Sequence, residues 1–71
     1  MEWSITKPDK DGIWLWRFRK SPTLSMRLSQ CVGCVSFKDG TIREWTMDNV
    51  YPVDVWWNIC PVDTCFVGDI N

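Results

Sequence analysis

From Ile13 to Arg19 the large apolar residues fall on alternate positions. Trp14, Trp16 and Phe18 point to one face, while Ile13 and Leu15 share the other with Arg17 and Arg19. A period of two marks a β-strand, and apolar residues on both faces mark one that is central or committed to a partner. Before it, Lys7-Pro8-Asp9-Lys10-Asp11-Gly12 has the composition of a turn, and Trp3 and Ile5 could form a short edge strand or cap. Phe37-Lys38-Asp39-Gly40-Thr41-Ile42 is the strongest local signal, because Asp-Gly between two β-rich runs specifies a two-residue hairpin loop. That loop pairs Phe37 with Ile42 and Val35 with Glu44 on one face, and Ser36 with Arg43 and Cys34 with Trp45 on the other.

The rest of the chain follows the same logic. Leu24, Met26 and Leu28 alternate as a strand does, although Ser21 followed by Pro22 also has the form of a helix start. The even-numbered face continues through Val32 and Cys34. Beyond Gly33 the apolar positions are Val35 and Phe37, a parity change that predicts a β-bulge. Met47-Asp48-Asn49 reads as a turn. Val53, Val55, Trp57 and Ile59 alternate with Asp54, Trp56 and Asn58 and predict a strand that Pro61 ends, with a short strand over Thr64 to Val67. The expected fold is all-β: a small antiparallel meander or SH3-like barrel of four to five short strands, in one domain over 1–71.

Composition sharpens this picture. The chain has 71 residues, 45% hydrophobic and 14% aromatic with six Trp, which excludes a disordered tail. Eight Lys plus Arg against nine Asp plus Glu exclude both a polybasic nucleic-acid binder and a heavily acidic mimic of one. No His is present, so His-based catalysis is excluded. No spacing marks two carboxylates as an acid–base pair, and there is no Gly-rich phosphate loop. The expectation is a non-enzyme. Met1-Glu2-Trp3-Ser4 has no signal-peptide pattern, and the longest uncharged stretch, Leu28 to Phe37, is too short to span a bilayer. The expected location is the cytoplasm.

The cysteines form two close pairs, Cys31-Val-Gly-Cys34 and Cys60-Pro-Val-Asp-Thr-Cys65. Two pairs split by a longer loop are the layout of a four-thiolate Zn²⁺ site. The second spacing is wider than usual, and no Gly follows Cys34 to turn the backbone. Buried free thiols and disulfides are the other readings. A redox pair at Cys31 and Cys34 requires a helix start to lower the thiol pKa, whereas Val35-Ser36-Phe37 are β-formers.

Tryptophan and arginine dominate interface hot spots. Trp56 and Trp57 are adjacent, so on a strand one of them faces outward. Trp14, Trp16 and Trp56 with Arg17 and Arg19 are therefore the expected partner-binding residues, for a protein partner or a second copy of the chain. The alternative is that the rings only fill a small core. Aromatics beside Arg17, Arg19, Lys20 and Arg27 also suit single-stranded nucleic acid, a reading not favoured at net charge −1. A zinc-stabilised module contacting nucleic acid is the alternative function, and a thiol redox protein a weaker one.

The opening Lys7-Pro8…Gly12-Ile13-Trp14-Leu15-Trp16 and the closing Tyr51-Pro52-Val53-Asp54-Val55-Trp56-Trp57 with Pro61 resemble small bacteriophage- and prophage-encoded β-proteins. The similarity covers the two ends of the chain; the four cysteines depart from it. It implies a small β-fold in a bacterial cytoplasm and binding to a host protein, as inhibitors of CRISPR and other defence systems do.

Overall fold

In a computed structural model, which describes residues 2–19, 32–59 and 62–69, the alternation of tryptophans in the first strand sets the whole architecture. The elements are β1 (Gly12–Phe18), β2 (Val32–Lys38), β3 (Thr41–Glu44), β4 (Val50–Pro52), α1 (Val53–Ile59) and β5 (Val62–Gly68). The five strands make one antiparallel sheet in the order β4-β3-β2-β1-β5. The first four strands meander, and β5 returns to the far side of β1. With β4 and β5 at opposite edges the sheet is open, so the meander form holds and the barrel form does not. No helix among the described residues is long and apolar enough to cross a membrane.

Register carries the core across the strands. Trp14 stands opposite Val35 on one side and Phe66 on the other; Phe37 stands opposite Ile42, and Ile42 opposite Tyr51. Residues directly opposite share a face. This inner face, with Val62 and Trp56, is the hydrophobic core. The hairpin has the register expected from Asp39-Gly40, and both loop residues have positive φ (51° and 80°), as a type I′ turn requires.

Three sequence expectations change. Val53–Ile59 is a helix, not a strand. Its core-facing residues Val53, Trp56 and Trp57 follow the i, i+3, i+4 rule, while Val55 and Ile59 lie on its exposed side. Seven residues are too few to hold a helix alone. Tertiary anchors hold it: Val53 N–H donates to the Gly40 carbonyl at 2.8 Å, and Trp56 Nε1 donates to Glu44 Oε2 at 3.4 Å. The helix also places Trp56 and Trp57 near each other, 6.3 Å between ring centroids, where a strand would have sent them to opposite faces.

The bulge expected at Gly33 is also absent. The β1–β2 register is continuous from Gly12–Phe37 to Arg17–Val32, and the shift lies instead between Ile13 and Trp14 where β1 meets β5. Gly33 is a core-face position opposite Trp16, and the indole fills the space its side chain would take: an added Cβ would lie 2.4 Å from Trp16 Nε1. The last strand is longer than expected, running from Val62 to Gly68. The strand or helix expected around Leu24 to Leu28 lies outside the described residues.

The N-terminal segment is stitched to the rest. Ser4 and Thr64 exchange two backbone hydrogen bonds of 2.8 Å, so Ser4 extends the sheet beyond β5, in keeping with the edge role expected near Trp3 and Ile5. Thr64, fully buried, donates from Oγ1 to the Thr6 carbonyl at 2.7 Å. Lys7 then pairs with Asp54 on α1.

Candidate functional site

Trp14 and Trp56 are core residues, with 7% and 5% of their surface exposed. Their indole N–H groups are already used, Trp14 on the Lys10 carbonyl at 3.0 Å and Trp56 on Glu44. Trp16 is half-buried and meets Phe18 and Trp56 edge to face, at 5.1 and 6.2 Å between centroids. Trp14 and Trp56 thus belong to the hydrophobic core, and Trp16 packs against it.

Arg17 and Arg19 make internal contacts while staying partly exposed. Both pair with the buried Asp63, at 3.5 and 3.1 Å, and Arg19 also donates to the Val62 carbonyl at 3.0 Å. The Arg17 guanidinium lies 4.5 Å from the Trp3 ring centroid, a cation–π contact. A carboxylate taken out of water needs such partners. Their first role is to neutralise Asp63 and tie β1 to β5.

Among the described residues, the two cysteines stand apart rather than converging on one point. Cys34 and Cys65 are free thiols on the same face of the sheet, but each stands opposite Leu15 from a different side. Two strand spacings place their backbones about 10 Å apart, and sulfurs sharing one zinc must both lie ~2.3 Å from it. Leu15 occupies the interval. Cys34 sits within β2, away from any helix start that would activate it. Cys31 and Cys60 lie outside the described residues. Among the described residues no three His, Cys, Asp or Glu side chains are grouped to hold a metal.

The outer face of the sheet carries a different cluster, built on the hairpin. Ser36 stands opposite Arg43, Lys38 opposite Thr41, and Arg43 opposite Val50, so all five share this face. They line a shallow depression of about 310 Å³. Trp45 continues the same parity, held by its backbone N–H on the Cys34 carbonyl at 3.3 Å. Its indole Nε1 donates to Ser36 Oγ at 2.6 Å. Even so, Trp45 is 51% exposed, beside Met47 at 69% and Val50 at 54%. An indole, a thioether and a valine are thus displayed within six residues of chain, next to two cations.

The signal for Trp45 was present in the sequence, in the pairing of Cys34 with Trp45 on the hairpin's second face. The aromatic runs around Trp14 and Trp56 are denser and dominate the pattern. A second depression, of about 330 Å³, lies between the N-terminal segment and β5, with Thr6, Thr64, Cys65 and Phe66 in its wall. The Thr64 hydroxyl there is engaged with Thr6 and holds the fold together. No family model matches the chain, and no curated protein or solved structure shows a significant match to it.

Proposed function

We propose that the chain is a non-enzymatic binding module that engages a protein partner through the outer sheet face, with Trp45 as the anchor. One observation carries the reading: Trp45 is half-exposed yet fixed in place by its hydrogen bond to Ser36. An aromatic ring already ordered loses little conformational freedom on binding. Trp, Met and Arg are the residue types enriched where proteins meet, and Trp45, Met47 and Arg43 supply all three. Trp14, Trp16 and Trp56 support this surface from the core rather than form it. The resemblance to phage-encoded proteins directs the search to bacterial host proteins.

The test starts with cross-linking of the whole chain in a bacterial extract to identify a partner, followed by calorimetry on the purified pair. Trp45→Ser should keep the circular dichroism spectrum and weaken binding by at least ~2 kcal/mol, the threshold of a hot spot. An unchanged affinity for Trp45→Ser would overturn the assignment. Self-association abolished by the same substitution would reassign the partner to a second copy of the chain.

A further inference from the structure

We infer that the depression beside Trp45 is a receptor for a carboxylate side chain, so that the partner's contact segment is acidic. This rests on the protein-partner reading above and names the chemistry it selects. Lys38 and Arg43 lie diagonally across the β2–β3 pair, a separation of about 7–8 Å that one carboxylate can bridge. Ser36 sits between them, opposite Arg43. Its Oγ accepts the Trp45 indole N–H at 2.6 Å, which leaves its own hydrogen to donate. The Thr41 hydroxyl, by contrast, is spent on the Lys38 carbonyl at 2.7 Å.

A carboxylate placed here would accept from an ammonium, a guanidinium and a hydroxyl. The hydroxyl is polarised by the indole N–H behind it, because hydrogen bonds in a chain strengthen one another. Val50 forms an apolar wall against which the methylene stem of a Glu or Asp can rest. A planar guanidinium matches a carboxylate in two-point fashion. Among the described residues one carboxylate already competes: Asp48 reaches Arg43 Nε at 3.5 Å, from a position that is largely exposed. At that distance and exposure the internal pair is weak, and an incoming carboxylate can displace it.

The experiment is a titration of the ¹⁵N-labelled whole chain with a blocked tetra-glutamate peptide, followed by NMR. Parallel arms use a tetra-lysine peptide, inorganic phosphate and an eight-residue oligo-dT. The glutamate peptide should shift the Trp45 indole N–H and the Ser36 and Arg43 amides to saturation. Arg43→Ala and Lys38→Ala should each weaken it, by about tenfold for a charge-assisted hydrogen bond of this kind. Asp48→Asn should tighten it by a few-fold, since it removes both a competitor and a like charge. Each substituted residue is on the surface, and the unchanged core amides report that the fold is kept.

No saturable shift with tetra-glutamate, or one indifferent to Arg43→Ala, overturns the inference. Tighter binding of phosphate or oligo-dT at the same residues also overturns it, and points to a nucleic-acid backbone instead. If tetra-glutamate fails while Trp45→Ser still weakens the identified partner, the carboxylate receptor falls and the protein-binding reading stands. If Trp45→Ser has no effect on that partner, the reading itself falls.

Discussion

Gly33→Ala isolates the contact on which the inner face depends. Glycine in a strand interior is intrinsically unfavourable, and alanine there should gain roughly 0.5–1 kcal/mol from backbone entropy alone. Against this stands the Trp16 indole, with Nε1, Cε2 and Cζ2 at 2.4, 2.6 and 2.9 Å from the position of the new Cβ. The ring must move, yet it is wedged edge to face against Phe18 and Trp56. Forcing a methyl into a packed site costs typically ~1–3 kcal/mol. The overpacking term outweighs the backbone term over nearly all of these ranges, and the net destabilisation is about 0–2.5 kcal/mol.

For a domain this small, each kilocalorie lowers the midpoint by roughly 4–8 °C. The assay is urea and thermal unfolding followed by far-ultraviolet circular dichroism. The decisive comparison repeats Gly33→Ala in a Trp16→Leu background, where the indole is gone. There the same substitution should become neutral or stabilising, because only the backbone term remains. A cost that persists at full size in that background, or a stabilisation in the wild-type chain, would refute the argument. Either result would mean that Gly33 is required for a reason other than the space it leaves to Trp16.

Two further substitutions test the stitches between elements. Asp63→Ala removes the acceptor shared by Arg17 and Arg19 and should cost ~1–3 kcal/mol in urea unfolding, the value of a buried charge-assisted network. The loss should change little between low and moderate salt, because the carboxylate is sheltered from solvent. Thr64→Val keeps the shape but leaves the Thr6 carbonyl without its 2.7 Å donor, and should cost ~1–2 kcal/mol. Hydrogen exchange at the Ser4 amide, which is bonded to Thr64, should accelerate more than exchange at Val35.

The parts of the fold that were legible are those fixed by neighbours in the chain. Asp39-Gly40 sets its own loop by accepting positive φ, so the register from Val35–Glu44 to Phe37–Ile42 could be read directly. Trp14, Trp16 and Phe18 declared their common face by alternation. The misreadings arose where distant parts of the chain decide. Val53 to Ile59 alternates as convincingly as any strand and contains two β-branched valines. Packing on a sheet built by other segments makes it a helix. Gly33 suggested a bulge because the apolar parity changes beside it; in the fold it is a core-face position whose volume is provided by Trp16, seventeen positions earlier in the chain and invisible to any local pattern. The candidate site behaved likewise. Aromatic density located the tryptophans, but exposure separates Trp45 from Trp14 and Trp56, and exposure is a property of the assembled sheet.

The bond from Thr64 to Thr6 joins residues 58 positions apart, and β5 must find β1 across nearly as long an interval. Closing such intervals costs entropy before any contact compensates it, which slows folding in chains dominated by distant pairings. The β2–β3 hairpin can form from its own residues, and with it the seat of Trp45 and all of the outer depression except the wall that Val50 adds from β4. The sheet around β1 cannot be completed until β5 is present. During synthesis the outer face of the hairpin would therefore take shape before the core behind it, and the segment around Ser4, although made earlier, would dock only once β5 is present.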